Sequence, residues 1–360
     1  MEDSTTMIVT IKRPCRRWLT ASWILGIILF VMPLQGSGQA VTIIQTNSAG
    51  DNVHLIDPTT NSIVGEITGV EVIHGVAAAP DGSRLYLSNE STNTLDIVDT
   101  KTLAVTKKIP LSPGRPNNVA IRSDGKRLYV AIRGNGGGVD VIDLVTEEQV
   151  KFIPVLRGVH NTFITPDSKH VVAGSIGGGT ATVIDTEIER PVWALHFEGG
   201  VRPFTFDKNP DGSTRRMYVQ LSNYHGFAIV DFEKRIEIGR IKQPDVPPSE
   251  RNSDGIQGAP AHGILVSPDQ KTIWSTSKIN SHVYAYSLPE LKYLGGVRVG
   301  KVPDWLTFTP DSKYLYVANA HSNYVSVVDV TAQKEIAKIQ VGQVPKRNIT
   351  ARLPLLSGVR

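Results

Sequence analysis

A single cysteine, Cys15, stands in 360 residues. One thiol builds neither a disulfide framework nor a Cys-rich zinc site. An excess of one charge is also missing: 38 Lys and Arg face 34 Asp and Glu, a formal +4. A balance this even, spread along the chain, lacks the basic footprint of a nucleic-acid binder. There is no G-x-S-x-G, no H-E-x-x-H and no P-loop. Gly134, Gly136, Gly137 and Gly138 resemble a phosphate loop in composition, as do Gly177, Gly178 and Gly179. Both groups join two strand-like segments with no helix after them, so both read as hairpin turns. No convincing helical stretch follows residue 40. At 40% apolar and 20% charged, the chain is not disordered in general. Glycine (32) and proline (22) are both turn formers.

The first 40 residues read as a targeting segment. Lys12, Arg13, Arg16 and Arg17 form a basic patch, and an apolar run follows from Leu19 to Leu34. Gly36, Ser37, Gly38, Gln39 and Ala40 come next. Basic, apolar, then small is the order of a secretory signal peptide, with cleavage expected after Ala40. The apolar run is short for a spanning helix, which needs about 20 residues. Cleavage removes four basic and two acidic side chains, leaving 4 − 2 = +2. The mature chain then has no cysteine, which suits an oxidising compartment. The expectation is a periplasmic or secreted monomer, free of the membrane once the signal is cut.

Residues 41–360 are built from one repeat. A Pro/Ser-Asp turn recurs at Pro80-Asp81, Ser123-Asp124, Pro166-Asp167, Pro210-Asp211, Pro268-Asp269 and Pro310-Asp311. Most steps are 42 to 44 residues, and one longer step carries an insertion at 243–260. Each unit holds four short segments of period two, separated by turn residues. Four antiparallel strands at this spacing are the signature of a β-propeller blade. Six units are complete. Residues 42–68 supply the last three strands of another, and Arg347 to Ala351 supply its first. The expectation is an all-β, seven-bladed propeller whose two ends share a blade, which removes exposed sheet edges.

Arg127-Leu128-Tyr129-Val130-Ala131 and Tyr314-Leu315-Tyr316-Val317-Ala318-Asn319 resemble the YVTN-type propeller repeat of secreted and periplasmic bacterial proteins. The resemblance covers 41–360 and speaks to fold more than function. It implies kinship with haem-d1-binding domains, surface-layer proteins and partners of quinoprotein dehydrogenases. No site motif of those proteins matches here, so none of their residues carries over.

Repeated aspartates read as turn-formers. Asp57, Asp99, Asp143, Asp185, Asp231 and Asp329 end the third strand, where a carboxylate accepts from the next turn's backbone N–H groups. The turn aspartates Asp81, Asp124, Asp167, Asp211, Asp269 and Asp311 take the same reading. The strand-two tyrosines read as packing between blades.

In a propeller the first strand of each blade lines the central channel. Six residues before the turns stand His74, Asn117, His160, His262 and Asp304; Arg202 and Lys346 align by context. The resulting ring is entirely polar, and three of the nine histidines occupy equivalent places. Two chemistries suit it. His74, His160 and His262 could hold zinc, copper or iron. Alternatively, Arg202, Lys346 and Arg115 pair with the carboxylates of an organic ligand, with Asn117, Asp304 and the histidines around it. Loops on the same face offer Asn89, Glu90, Arg133, Asn223, Tyr224, His225, Lys278, Asn319 and His321. Trp305 is a stacking platform or core, and the insertion is a lid or decoration.

The leading expectation is an exported binding protein that holds a small ligand, cofactor or redox partner at the channel mouth. A metal-dependent oxidoreductase or lyase and a protein-interaction scaffold are the alternatives.

Overall fold

The computed structural model describes residues 38–134 and 136–355. Cys15 and all but the last three residues of the expected signal segment lie outside the described residues.

Seven four-stranded antiparallel sheets are present among the described residues. Six follow the chain from inner to outer strand. The remaining one, blade 1, is composite: Pro345–Pro354 is innermost, then Gln39–Asn47, Asn52–Asp57 and Ser62–Ile67. Its two chain ends pair from Gln39↔Pro354 to Asn47↔Pro345. The inner strands of blades 2 to 7 are Ile73–Ala78, Arg115–Ile121, Asn161–Ile164, Val201–Lys208, Ala261–Val266 and Pro303–Phe308. With Pro345–Pro354 they neighbour one another in a closed cycle. The seven-bladed fold closed by both ends follows the sequence expectation.

The turn aspartates do what their spacing implied. Asp99 Oδ1 accepts from the N–H groups of Lys101 and Thr102 at 3.0 and 2.9 Å. Asp329, at the same place in blade 7, accepts from Ala332 N at 2.7 Å. After the inner strands, Asp81 accepts from Ser83 N at 3.0 Å and Asp269 from Lys271 N at 3.1 Å. These bonds satisfy turn donors that have no strand partner.

The period-two pattern understated burial. Strands two and three are buried on both faces, as in Arg84–Asn89 and Tyr324–Asp329. The reason is that each sheet is sandwiched between neighbours. One apolar cluster joins Val172, Ala181 and Val183 of blade 4 to Phe204, Met217 and Val219 of blade 5. Tyr129, Tyr218 and Tyr316 are fully buried between blades. The Tyr129 hydroxyl donates to Thr186 O of the next blade at 3.5 Å. Only the outermost strands alternate in exposure, as in Arg190–His196.

Candidate ligand site at the channel mouth

One end of the channel opens into a cavity of about 580 Å³, within the usual range for small-molecule sites. All seven ring positions line it: His74, Asn117, His160, Arg202, His262, Asp304 and Lys346. So do Glu90, Arg115, Arg133, Trp305 and Arg347, together with Gln257 of the insertion.

The backbone explains why these side chains point inward. The inner-strand register is interrupted at His74, Asn117, Arg202, His262, Asp304 and Lys346. His160 lies just before its strand. An interruption of this kind bends a strand and re-aims a side chain, and such features gather beside functional sites. Val72, Val302 and Val344 stand two residues before ring positions with φ of 48°, 53° and 53°. A β-branched residue is strained there, and strain of this kind collects at binding sites.

Arg347 and Trp305 make the floor. The Arg347 guanidinium carbon lies 3.8 Å from the Trp305 ring centre. Trp305 is therefore a stacking platform, but for a residue of its own chain. Arg347 is only 5% exposed, and among the described residues its Nη1 has no hydrogen-bond partner. Its Nη2 donates to Asn161 Oδ1 at 3.2 Å. A guanidinium only donates, so the Asn161 oxygen faces it and Nδ2 donates to His160 Nδ1 at 2.5 Å. His160 thus carries its proton on Nε2. Burial pulls Arg347 down to about 9, so it is cationic at neutral pH. Arg347 was not singled out as a site residue in the sequence. The signal was its place one step down the channel from Lys346, where other blades carry Gly75, Asn118, Asn161, Pro203, Gly263 and Trp305; only Arg347 is charged.

Two carboxylates compensate part of the positive charge. Glu90 contacts His74 Nδ1 at 2.9 Å and Arg115 Nη1 at 3.4 Å. The His74 contact, more than the arginines, holds its carboxyl below the usual range. Asp304 contacts Lys278 Nζ at 3.0 Å, His262 Nδ1 at 3.7 Å and Lys346 Nζ at 3.8 Å. Burial alone would raise the Asp304 carboxyl; Lys278, Lys346 and His262 outweigh it and hold it well below its ordinary value. Arg133, Arg202 and Arg347 have no carboxylate within 4 Å among the described residues. Arg202 instead donates from Nε to Ser222 Oγ at 2.9 Å and from Nη2 to Gln257 O at 2.7 Å. The second bond makes the insertion a wall of the cavity. Asn252 fastens it further, donating to Lys278 O at 2.6 Å. Of the loop candidates, Asn89 and Asn319 turn into their own blades, bonding Asp96 and Ser326 at 3.0 and 2.9 Å. His225 bonds Ser277 Oγ at 2.8 Å.

The three-imidazole metal centre is not assembled. Among the described residues no group of three or more His, Cys, Asp or Glu is placed to hold a metal ion. His74 turns to Glu90. The His160 and His262 rings lie 6.4 Å apart at 89°, whereas metal–nitrogen bonds near 2.0 Å need converging lone pairs. His160 offers a proton on Nε2 rather than a lone pair, while His262 Nδ1 donates to Asp304 O at 3.0 Å and leaves Nε2 as an acceptor. The residues present do not fit zinc, copper or iron held by these three histidines.

One buried and one half-buried imidazole, His262 and His160, also set an acid limit on stability. Burial pushes His262 down to about 3 and His160 well below its ordinary value. In the unfolded chain both protonate near pH 6.5. Their contribution is complete above that pH and is lost as pH falls toward the folded value. Each costs about 1.4 kcal/mol per pH unit across that window. Thermal unfolding is therefore expected to fall steeply from pH 6.5 to 5, with a shallower slope in His262→Gln. Equal slopes in the two proteins would refute this.

Comparison with known proteins agrees with this architecture. The family described as "Lactonase, 7-bladed beta-propeller" matches residues 155–346. The chain belongs to this family. It is 30% identical over 118 residues to the seven-bladed beta-propeller protein Rv1057 of Mycobacterium tuberculosis, covering 32% of this chain and 30% of that one. It is 26% identical over 263 residues to hydrazine synthase subunit beta of Kuenenia stuttgartiensis, covering 66% and 59%. The chain thus spans about a third to three fifths of these relatives' own lengths. Among solved structures, a putative 6-phosphogluconolactonase of Bacteroides fragilis superposes with a TM-score of 0.70 at 17% identity, over 89% of this chain and all of that one. Kuenenia stuttgartiensis hydrazine synthase gives 0.68 at 22%, over 80% and 92%. The dihydro-heme d1 dehydrogenase NirN, in complex with DHE, gives 0.63 at 14%, over 85% and 74%. At these identities the structural likeness speaks to the fold.

Proposed function

We propose that this is an exported, YVTN-type propeller that binds a small hydroxylated organic anion at its channel mouth. The observation that carries the reading is Arg347, a buried guanidinium that has, among the described residues, no partner at Nη1 and no carboxylate within 4 Å. Burying such a charge is costly unless a partner compensates it. A ligand carboxylate or phosphate is the partner it fits, in a charge-assisted bond. Hydroxyl groups on the ligand suit the acceptors at hand: Asn117 Oδ1 is buried without a partner among the described residues, and His262 Nε2 keeps its lone pair.

A flat macrocycle of the kind named for NirN suits the mouth less well, because Arg347 covers the Trp305 face. The names of the family and of one structural neighbour concern lactones. Opening a sugar lactone gives a hydroxylated carboxylate, the class this mouth fits, so such acids head the ligands to test.

Thermal unfolding of the mature protein with sugar acids, hydroxycarboxylates, phosphorylated sugar acids and neutral sugars is the experiment. At a hundred times the dissociation constant a native-state ligand stabilises by about 2.7 kcal/mol. The acids are expected to raise the melting temperature and the neutral sugars to leave it unchanged. Equal stabilisation by neutral sugars, or none by any anion, would overturn the reading. Export rests on the basic, apolar and small residues of 1–40; N-terminal sequencing of the envelope fraction, starting at Val41, checks it, and an intact Met1 would refute it.

A further inference from the structure

We infer that the mouth ranks its anions by charge number and binds those bearing three or more negative charges most tightly, because three guanidiniums from three blades converge on it with no carboxylate within 4 Å among the described residues. The inference rests on the anion-binding reading above and specifies its ligand class.

Not all the cations at the mouth are equivalent. Arg115 already has Glu90 at 3.4 Å. Lys278 and Lys346 share Asp304. Arg133, Arg202 and Arg347 have no such partner within 4 Å among the described residues. They come from blade 3, blade 5 and the closing strand of blade 1, so they approach from separate sides of the axis. All three line the same cavity. Their convergence is also felt at one point: His160 is kept neutral first by burial, then by His262 and by the charges of all three guanidiniums. Burial disfavours the charge of each of them.

Summing the site makes the same point. Arg115, Arg133, Arg202, Lys278, Lys346 and Arg347 give +6, and Glu90 and Asp304 give −2, leaving +4. A monoanion would leave at least two half-buried guanidiniums facing each other across the cavity, where screening is weaker than in bulk solvent. A trianion with its charges spread along a short carbon frame matches all three.

Calorimetric titration of the mature protein with acetate, succinate and tricarballylate at pH 8 tests this, since every carboxyl is ionised there. The expected order is tricarballylate tightest, at least tenfold tighter than succinate, with acetate weaker by a further tenfold. Arg133→Gln and Arg202→Gln are each expected to weaken tricarballylate at least tenfold and succinate by less, with melting temperatures showing that both fold. Succinate and tricarballylate binding equally would overturn the charge-number inference and leave anion binding standing. Binding of none of the three would overturn the charge-number inference, and the anion-binding reading with it once the sugar acids also fail to raise the melting temperature.

Discussion

Arg347→Met is expected to abolish anion binding while leaving the fold at least as stable. The guanidinium is desolvated, stacked on Trp305 and short of a partner at Nη1. Truncating one member of a buried charged pair costs about 2–5 kcal/mol of binding, or roughly 30- to 5,000-fold. Without ligand, the same charge is a burden on the folded state. Methionine has similar reach, and its sulfur packs well against an aromatic ring. Replacing an ill-compensated buried charge by an apolar side chain of similar volume is often neutral or stabilising. Asn161 loses a donor, at about 1 kcal/mol, so the net change is near zero or slightly favourable. Calorimetry and thermal unfolding of the same variant check both halves. Binding kept within threefold, or a fold badly destabilised, would refute the assignment. In the latter case Arg347 would be a structural strut.

The second large effect concerns the fold beneath the site. Lys278→Met is expected to destabilise the protein by about 3–5 kcal/mol, the usual cost of leaving a buried ion without its partner. Lys278 is 2% exposed and Asp304 3% exposed, and Nζ lies 3.0 Å from Oδ1. Lys346 at 3.8 Å and His262 at 3.7 Å remain beside the carboxylate, which favours the lower end of the range. The companion variant Lys278→Met with Asp304→Asn removes the orphaned charge and is expected to recover most of the loss. Such non-additivity is the mark of two residues acting as a pair. Chemical denaturation of the two single variants and the double variant measures it. A Lys278→Met change below 1 kcal/mol, or strict additivity, would show that the pair carries little.

Much of this architecture is legible in the sequence because a repeat states its register many times. The Pro/Ser-Asp turn fixes where each inner strand ends, and counting back six residues reaches the mouth. That count found His74, Asn117, His160, His262 and Asp304, and local context found Arg202 and Lys346. All seven line one cavity. The same count says nothing about where rings and lone pairs point. Three histidines at equivalent positions suggested a metal centre, yet His74 answers to Glu90, His160 to Asn161 and His262 to the Asp304 carbonyl. Those partners are set by distances across the axis, which periodicity does not encode. Arg347 was missed for a related reason. It sits one residue below the counted ring, in the strand that completes blade 1 from the far end of the chain. Its stacking on Trp305 and its bond to Asn161 exist only once the ring has closed. The insertion at 243–260 was legible as an interruption of the repeat; only the bond from Arg202 to Gln257 O makes it a wall of the cavity.

A crystal structure of the mature protein soaked with tricarballylate would show whether Arg347, Arg202 and Arg133 hold one anion between them. One anion is expected at the channel mouth, with a carboxylate oxygen within hydrogen-bond distance of Arg347 Nη1 and others on Arg202 and Arg133. An anion bound elsewhere, or a mouth holding only water at saturating concentration, would contradict it.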